Sequence, residues 1–300
     1  MRADQLLLQR SIASSRSQAQ RLIASGVRWR VAEAVGGLGS ASSGAAAWKS
    51  IVKNSEELPL DAEFELQDAS EAQYVSRGGL KLEGALKASG LQVSGKLCLD
   101  VGQSTGGFTD CLLQQGAQRV VGVDVGSGQL HPSLREHPQV VVLENCNARQ
   151  LSSRALNAAL LIADYANPVS TNGLNTPEPL PERPAAAALV PVEVAEPANI
   201  QFDLIVGDLS FISQTLVLPA LVPLLKPGAD LLMLVKPQFE LQPGQVGKGG
   251  IVKDAALYAI VEHRIRACCA DLGLRVVGWF DSPITGGDGN REFFVHAVFT

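Results

Sequence analysis

Lys96-Leu-Cys-Leu-Asp-Val-Gly-Gln-Ser-Thr-Gly-Gly-Phe108 decides the fold of this chain. An apolar run ends in Asp100, a loop carries Gly102, Gly106 and Gly107, and a helix-like segment follows. Strand, glycine-rich turn and helix in that order build a nucleotide-type site at the carboxyl end of a parallel strand. A second apolar run, Arg119-Val-Val-Gly-Val, ends in Asp124, 24 residues beyond Asp100. A carboxylate at that place suits the ribose hydroxyls of a bound nucleoside. Glycine turns also occur wherever a helix packs closely on a strand, so the second-strand acid carries as much of the inference as the glycines do.

The turn departs from the dinucleotide pattern G-x-G-x-x-G. Ser104 stands at the second glycine position, and Asp100 sits just before the turn. A pyrophosphate needs a bare helix start. S-adenosylmethionine brings no phosphate but a sulfonium cation, an amino-acid end and an adenosine. Ser104, Thr105 and backbone groups suit the amino-acid end, and carboxylates suit the cationic parts. These departures favour S-adenosylmethionine over a nicotinamide dinucleotide.

Three hundred residues exceed one typical domain, and 46% hydrophobic with 18% charged residues describes a chain with a sizeable core. The net charge of −5 argues against an all-over nucleic-acid coat, yet residues 1–60 hold eight Lys/Arg against four Asp/Glu. Five cysteines form no C-x-x-C pair and no ligand spacing with the four histidines, so no metal site is expected. Their odd, scattered pattern reads as reduced cysteine in a cytoplasmic protein. The first residues lack the apolar core of a signal peptide. Leu216–Val235, the richest apolar stretch, is interrupted by Pro219, Pro223, Lys226, Pro227 and Asp230, so no spanning helix is expected there.

Periodicity predicts helices over 3–10 and 16–25, the second capped by Ser14 or Ser15 and ended by Gly26. Strand-like composition follows at 27–31, 48–52 and 63–66. The opening, with Ser15-Arg16-Ser17-Gln18-Ala19-Gln20, Leu22-Ile23, Gly26 and Lys49-Ser50, resembles the alpha-L RNA-binding motif shared with ribosomal protein S-four. That resemblance implies a small α+β domain over 1–68, interrupted by a flexible insertion at 34–47. It also implies docking on structured RNA through Arg16, Gln20, Arg21 and Arg28. A capping domain with a solvated charged helix is the plainer alternative.

Residues 69–90 form a linker and the first helix, 80–89, of a larger domain over 91–300. Strands are predicted at 97–101, 119–124, 140–143, 203–207 and 230–235, with helices at 107–115, 129–137, 150–162, 213–226 and 254–272. Strands at 274–280 and 292–299 finish the chain. This pattern is an α/β, Rossmann-like, mostly parallel sheet closed by an antiparallel C-terminal hairpin, as in methyltransferases. Residues 163–198, with seven prolines, read as a disordered surface insertion.

Four residues at strand ends or in loops carry chemistry: Lys81 after Ser76-Arg77-Gly78-Gly79-Leu80, Asp208 ending Phe202–Gly207, Lys236 in Val-Lys-Pro-Gln-Phe-Glu, and Glu292 opening the last strand. Singly each has a structural explanation. In chain order they resemble the Lys-Asp-Lys-Glu tetrad of FtsJ-like RNA 2′-O-methyltransferases. Longer strings resemble the TlyA (hemolysin-A-like) family: Ser104-Thr105-Gly106-Gly107-Phe108-Thr109-Asp110, Asp124-Val125-Gly126, Ser210-Phe211-Ile212-Ser213, Lys236-Pro237-Gln238-Phe239-Glu240 and Lys248-Gly249-Gly250-Ile251-Val252-Lys253-Asp254.

The resemblance implies methyl transfer from S-adenosylmethionine to a ribose 2′-hydroxyl, of cytidine, in ribosomal RNA within ribosomal subunits. Lys236, crowded by Lys81 and lowered in pKa, would take the proton or stabilise the alkoxide. Asp208 would hold both lysines, and Glu292 would orient the network. Gly102, Ser104, Thr105, Gly106, Gly107 and Phe108 would surround the methionine part, with Asp100 before them and Asp124 on the ribose. Asn147 would meet the adenine edge or cap the following helix. The chain departs from the pattern at Gln103, usually a small residue and expected to crowd the amino-acid end, and at Gly207-Asp208-Leu209. The loop Gln242–Gly250 either closes over substrate or is plain surface. The alternatives are a non-catalytic ribosome-binding factor, which has no need of a tetrad, and a membrane-lytic protein, which has no spanning segment to use.

Overall fold

The computed structural model describes residues 1–13, 15–31, 47–67, 72–166 and 199–300. Residues 34–46 and 167–198, nearly all of the two expected insertions, lie outside the described residues.

An N-terminal unit opens with α1 (Ala3–Gln9) and α2 (Arg16–Gly26), followed by β1 (Val27–Val31), β2 (Lys49–Ser50) and β3 (Ala62–Leu66). Ser15 caps α2: its backbone is extended and its Oγ accepts from the Gln18 N–H at 3.2 Å. Gly26, at φ +113°, lets the helix end directly into a strand. Leu6, Leu7, Leu22, Ile23, Val27 and Ile51 form this unit's own core, beneath an antiparallel sheet ordered β2-β1-β3.

The larger unit starts with α3 (Gly78–Ser89), β4 (Leu97–Val101), α4 (Gly107–Gln114), β5 (Arg119–Val123), α5 (Pro132–Arg135), β6 (Val140–Leu143) and α6 (Ser153–Ala166). It continues with β7 (Phe202–Gly207), α7 (Leu218–Leu221), β8 (Leu225–Val235), α8 (Pro237–Glu240), α9 (Ala256–Asp271), β9 (Leu274–Asp281) and β10 (Phe293–Phe299). Its seven strands are ordered β6-β5-β4-β7-β8-β10-β9. The pairs β4–β5, β5–β6, β4–β7 and β7–β8 are parallel, while β10 lies antiparallel between β8 and β9. Continuous apolar runs supply both faces, as a sheet covered on both sides requires. Leu99, Ile205 and Leu231 face one core; Cys98, Leu204 and Leu232 face the other. The chain runs outward from β4 to β6 and returns to β7 on β4's other side. The crevice at the carboxyl ends of β4 and β7 is therefore the switch point at which such sheets bind ligands.

Five expectations change. The helix expected over 129–137 shrinks to Pro132–Arg135, since Gly128 turns the chain at φ +70° and Pro132 must stand in a first turn. The helix expected over 213–226 breaks into short turns around Leu218–Leu221, because Pro219 and Pro223 lack the N–H that would continue it. β8 instead begins at Leu225 and bulges, its register moving from Phe202↔Leu225 to Leu204↔Asp230. Helix α6 reaches Ala166, into the start of the expected insertion, and the strand expected at 48–52 keeps only Lys49–Ser50.

The two units meet at the linker. Tyr74, 3% exposed, belongs to the larger unit's core. It lies over Gly79, where a Cβ would come 2.2 Å from the ring. From the other side, Gln18 Nε2 of α2 donates to the Tyr74 carbonyl at 3.2 Å.

Candidate active site

Two cavities open at the switch point and share the wall made by Gly102, Ser104, Asp208 and Ser210. The smaller, about 450 Å³, is lined by Asp124, Gly126, Gln129, Asn147, Leu209 and Phe211 among others. The larger, about 630 Å³, takes in Thr105, Gly107, Phe108, Lys81 and Lys236.

The turn between β4 and α4 separates them. Gly102, at φ +86°, allows it to pass so near the next strand that a Cβ would sit 2.6 Å from the Asp208 carbonyl oxygen. Gly107 gives α4 the same closeness to the start of α3, since a Cβ there would lie 2.3 Å from Ser76 Oγ. Ser104 adopts φ +48°, a conformation costly for a side-chain-bearing residue. Asp124 holds it there, accepting from the Ser104 and Gly126 amides, both at 2.7 Å.

Beneath the turn lies a buried chain of hydrogen bonds. Gln103 Nε2 donates to Thr109 Oγ1 at 2.9 Å, and Thr109 Oγ1 donates to Asp100 Oδ2 at 2.7 Å. Burial pushes the Asp100 carboxyl up to about 7, against the bond from Thr109. The crowding expected of Gln103 is relieved because its amide turns inward over Gly122, where even a Cβ would come 1.9 Å from Nε2. Gln103 and Gly122 thus fit as a large–small pair.

The expected tetrad converges, but as two separate ion pairs. Lys236 Nζ lies 2.5 Å from Asp208 Oδ1 and donates to Ser210 Oγ at 2.9 Å. Lys81 Nζ lies 2.6 Å from Glu292 Oε2. Asp208 therefore holds one lysine rather than both, and Lys236 is set against a carboxylate rather than against Lys81. Lys81, Asp208 and Lys236 line the larger cavity, while Glu292, with a side chain 2% exposed, stands behind Lys81. Burial raises the Glu292 carboxyl above its ordinary value, and Lys81 opposes that shift.

Of the expected cofactor residues, Gly102, Ser104, Asp124 and Asn147 line the smaller cavity, while Thr105, Gly107 and Phe108 line the larger. Asp100 and Gly106 line neither. Asp100 is fully buried, and Gly106 makes room for Leu134, which a Cβ would meet at 2.4 Å. Asn147 caps the turn after β6, its Oδ1 accepting from the Arg149 N–H at 3.0 Å. The loop Gln242–Gly250 lines neither cavity. Asn290 pins its end by donating to the Gly250 carbonyl and accepting from the Val252 N–H, both at 2.9 Å.

Two features had no role in the sequence reading. Ser210, which holds Lys236, follows Asp208 by two positions in the Ser-Phe-Ile-Ser string. Phe211, 90% exposed and at φ +62°, stands at the mouth of the smaller cavity with Phe239 5.1 Å away. The same string contributes Ser213, which donates to Glu240 Oε2 at 2.5 Å, while Glu240 Oε1 accepts from the Gln214 N–H at 2.7 Å. These bonds tie the loop after β7 to α8, which follows β8, and so fix Asp208 relative to Lys236.

The expected RNA contacts divide. Arg16 and Gln20 reach inward to the buried Asp4, at 2.8 and 3.5 Å, and Arg2 bonds the same carboxylate. Arg28 lies 3.5 Å from Glu65 across the sheet. Arg21, with Ser15, lines the larger cavity.

Among the described residues no three His, Cys, Asp or Glu side chains gather as a metal site, and no helix is long and apolar enough to cross a membrane. The chain is 40% identical over 294 residues to the 16S/23S rRNA (cytidine-2′-O)-methyltransferase TlyA of Mycobacterium tuberculosis, covering 98% of this chain and 88% of that one. It is 34% identical over 226 residues to Hemolysin A of Brachyspira hyodysenteriae, covering 75% and 77%. A solved chain from Streptococcus thermophilus, provisionally described as a hemolysin, is 32% identical, covers 100% of this chain and 88% of its own, and superposes with a TM-score of 0.64. Residues 74–299 match the FtsJ-like methyltransferase family, to which this chain belongs.

Proposed function

We propose that this protein transfers a methyl group from S-adenosylmethionine to the 2′-hydroxyl of a cytidine in ribosomal RNA, acting in the cytoplasm on ribosomal subunits. The observation that carries this reading is the meeting of Lys81, Asp208, Lys236 and Glu292 in two ion pairs beside a nucleoside-sized cleft.

The residues fit the cofactor. A cavity of about 450 Å³ falls within the usual 300–1,000 Å³ of small-molecule sites. Asp124 and Asn147 offer acceptors for ribose and adenine, Leu209 and Ile212 an apolar wall, and Gly102 and Ser104 a close backbone approach. When bound, the cofactor supplies an electrophilic methyl group on a sulfonium. The shared wall at Gly102, Ser104, Asp208 and Ser210 is where an acceptor in the larger cavity would meet it.

In-line displacement needs the attacking oxygen aligned and its proton managed. Lys236 Nζ, fixed between Asp208 and Ser210, meets the 2′-oxygen: as ammonium it stabilises the developing alkoxide, and as amine it takes the proton. Both roles require the same position. Lys81, held by buried Glu292, is the second cation on the acceptor's side. Residues 1–68, ahead of a linker and first helix at 69–90 and the methyltransferase domain at 91–300, dock the RNA. Of their basic side chains Arg21, at the wall of the larger cavity, would meet phosphates, while Arg16 and Arg28 already pair with Asp4 and Glu65.

Incubation with methyl-labelled S-adenosylmethionine and separated small and large ribosomal subunits tests the reading. Label in the rRNA of either subunit is expected. Intact cofactor binding with no label in either would overturn it.

A further inference from the structure

The larger cavity is built by both units of the molecule. Helix α2 is fixed against the linker by Gln18, 4% exposed, whose amide bonds the Tyr74 carbonyl. Arg21 lies one turn further along the same helix face, and both it and the capping Ser15 line the cavity. Arg77, at the start of α3, lines it from the other unit.

The charges in this wall are not equivalent. Lys81 and Lys236 are matched inside the protein by Glu292 and Asp208. Arg77 has only a neutral carbonyl, that of Thr285 at 3.3 Å, and its buried Nε has no hydrogen-bond partner among the described residues. A buried guanidinium N–H without a partner is costly, and an anionic oxygen is the acceptor that suits it best. Thr105 and His131 add polar groups to the same wall.

We propose that Arg21 and Arg77 together hold a backbone phosphate beside the target ribose, so that the N-terminal unit supplies a substrate contact inside the catalytic cavity. The ligand is an RNA phosphodiester, and the inference rests on the methyl-transfer reading above. Docking and chemistry then share one binding step. An RNA seated without α2 in place lacks half of the clamp that positions its ribose toward Lys236.

The test compares wild type with Arg21→Glu, Arg21→Lys and Arg77→Lys, and with Arg10→Ala as a control in the N-terminal unit away from the cavity. Subunit binding is measured by filter retention across a salt series, and methyl transfer under single turnover at saturating cofactor. Arg21→Glu is expected to weaken subunit binding by about tenfold, the effect of losing a charged hydrogen bond. It should also lower the salt slope by about one. Cofactor affinity should stay at the wild-type value, and Arg21→Lys should keep most of the binding. Wild-type affinity and salt slope in Arg21→Glu would overturn the proposal. Wild type that binds subunits but transfers no methyl would instead overturn the reading beneath it, and the binding series would still decide Arg21.

Discussion

Two places in this molecule gather cations around buried carboxylates, and they serve different ends. In the N-terminal unit Asp4 collects Arg2, Arg16 and Gln20 at the junction of α1 and α2, and none of these four residues lines either cavity at the switch point. At the carboxyl end of the large sheet, Asp208 and Glu292 hold Lys236 and Lys81 at the wall of an open cavity. The chemistry of the pairs is similar and the surroundings are not. Charge pairing alone does not mark a site; pairing at the switch point of a parallel sheet makes a candidate for one. Resemblance to the FtsJ-like tetrad located the second cluster. No local pattern announced the first, because Arg16 finds a partner twelve positions back in another helix.

The comparison breaks most sharply under substitution of one carboxylate from each cluster. Asp208→Asn keeps the shape and removes the negative charge set against Lys236, so single-turnover methylation should fall by about 10²–10⁴-fold, the range for a positioned proton-handling group. Thermal stability should change little. Asp4→Asn should do the reverse. It should cost about 2 kcal/mol in chemical denaturation, below the 3–5 kcal/mol of a fully buried pair because Arg2 and Arg16 are part-exposed and screened. The methylation rate per folded molecule should be kept. Equal effects of the two substitutions on rate would erase the distinction.

A packing test sharpens it further. Gly122→Ala places a methyl against the Gln103 amide and should destabilise by about 1–3 kcal/mol, with weaker cofactor binding. Adding Gln103→Ala should restore both, since the double variant returns the space. An additive double variant would show that the two positions are not a pair.

The smallest expected effect lies in the pH dependence of stability, where the two regions have opposite signs. Asp4 is held below the ordinary carboxylate range, chiefly by its bond from Arg2, so its contribution is present above about pH 4 and lost as pH falls. Asp100 is pushed up to about 7, so its contribution is full below 3.8 and lost as pH rises through 7. Melting curves from pH 4 to pH 8 should show wild type losing stability relative to Asp100→Asn as pH rises. Parallel curves would contradict the buried, raised carboxyl.

Much of the catalytic unit was legible because its signals are local. Buried parallel strands appear as uninterrupted apolar runs, Gly102 and Gly107 stand where backbones must pass closely, and Asp208 and Lys236 directly follow the ends of β7 and β8. Helices bounded by proline read poorly. The apolar content of 213–226 suggested one helix, yet Pro219 and Pro223 break it. Side-chain direction was not legible. Gln103 was expected to point at the cofactor, but the absence of a side chain at Gly122, on the next strand, lets it fold inward. Ser210 owes its place beside Lys236 to a contact across two loops, which periodicity does not encode.

The most direct measurement is nucleoside mass analysis of rRNA recovered from ribosomal subunits after reaction with wild type or Lys236→Ala. Cofactor affinity is checked in both proteins. The account expects 2′-O-methylcytidine to appear with wild type and to be lost with Lys236→Ala, at unchanged cofactor affinity. An undiminished yield of 2′-O-methylcytidine from Lys236→Ala would contradict it.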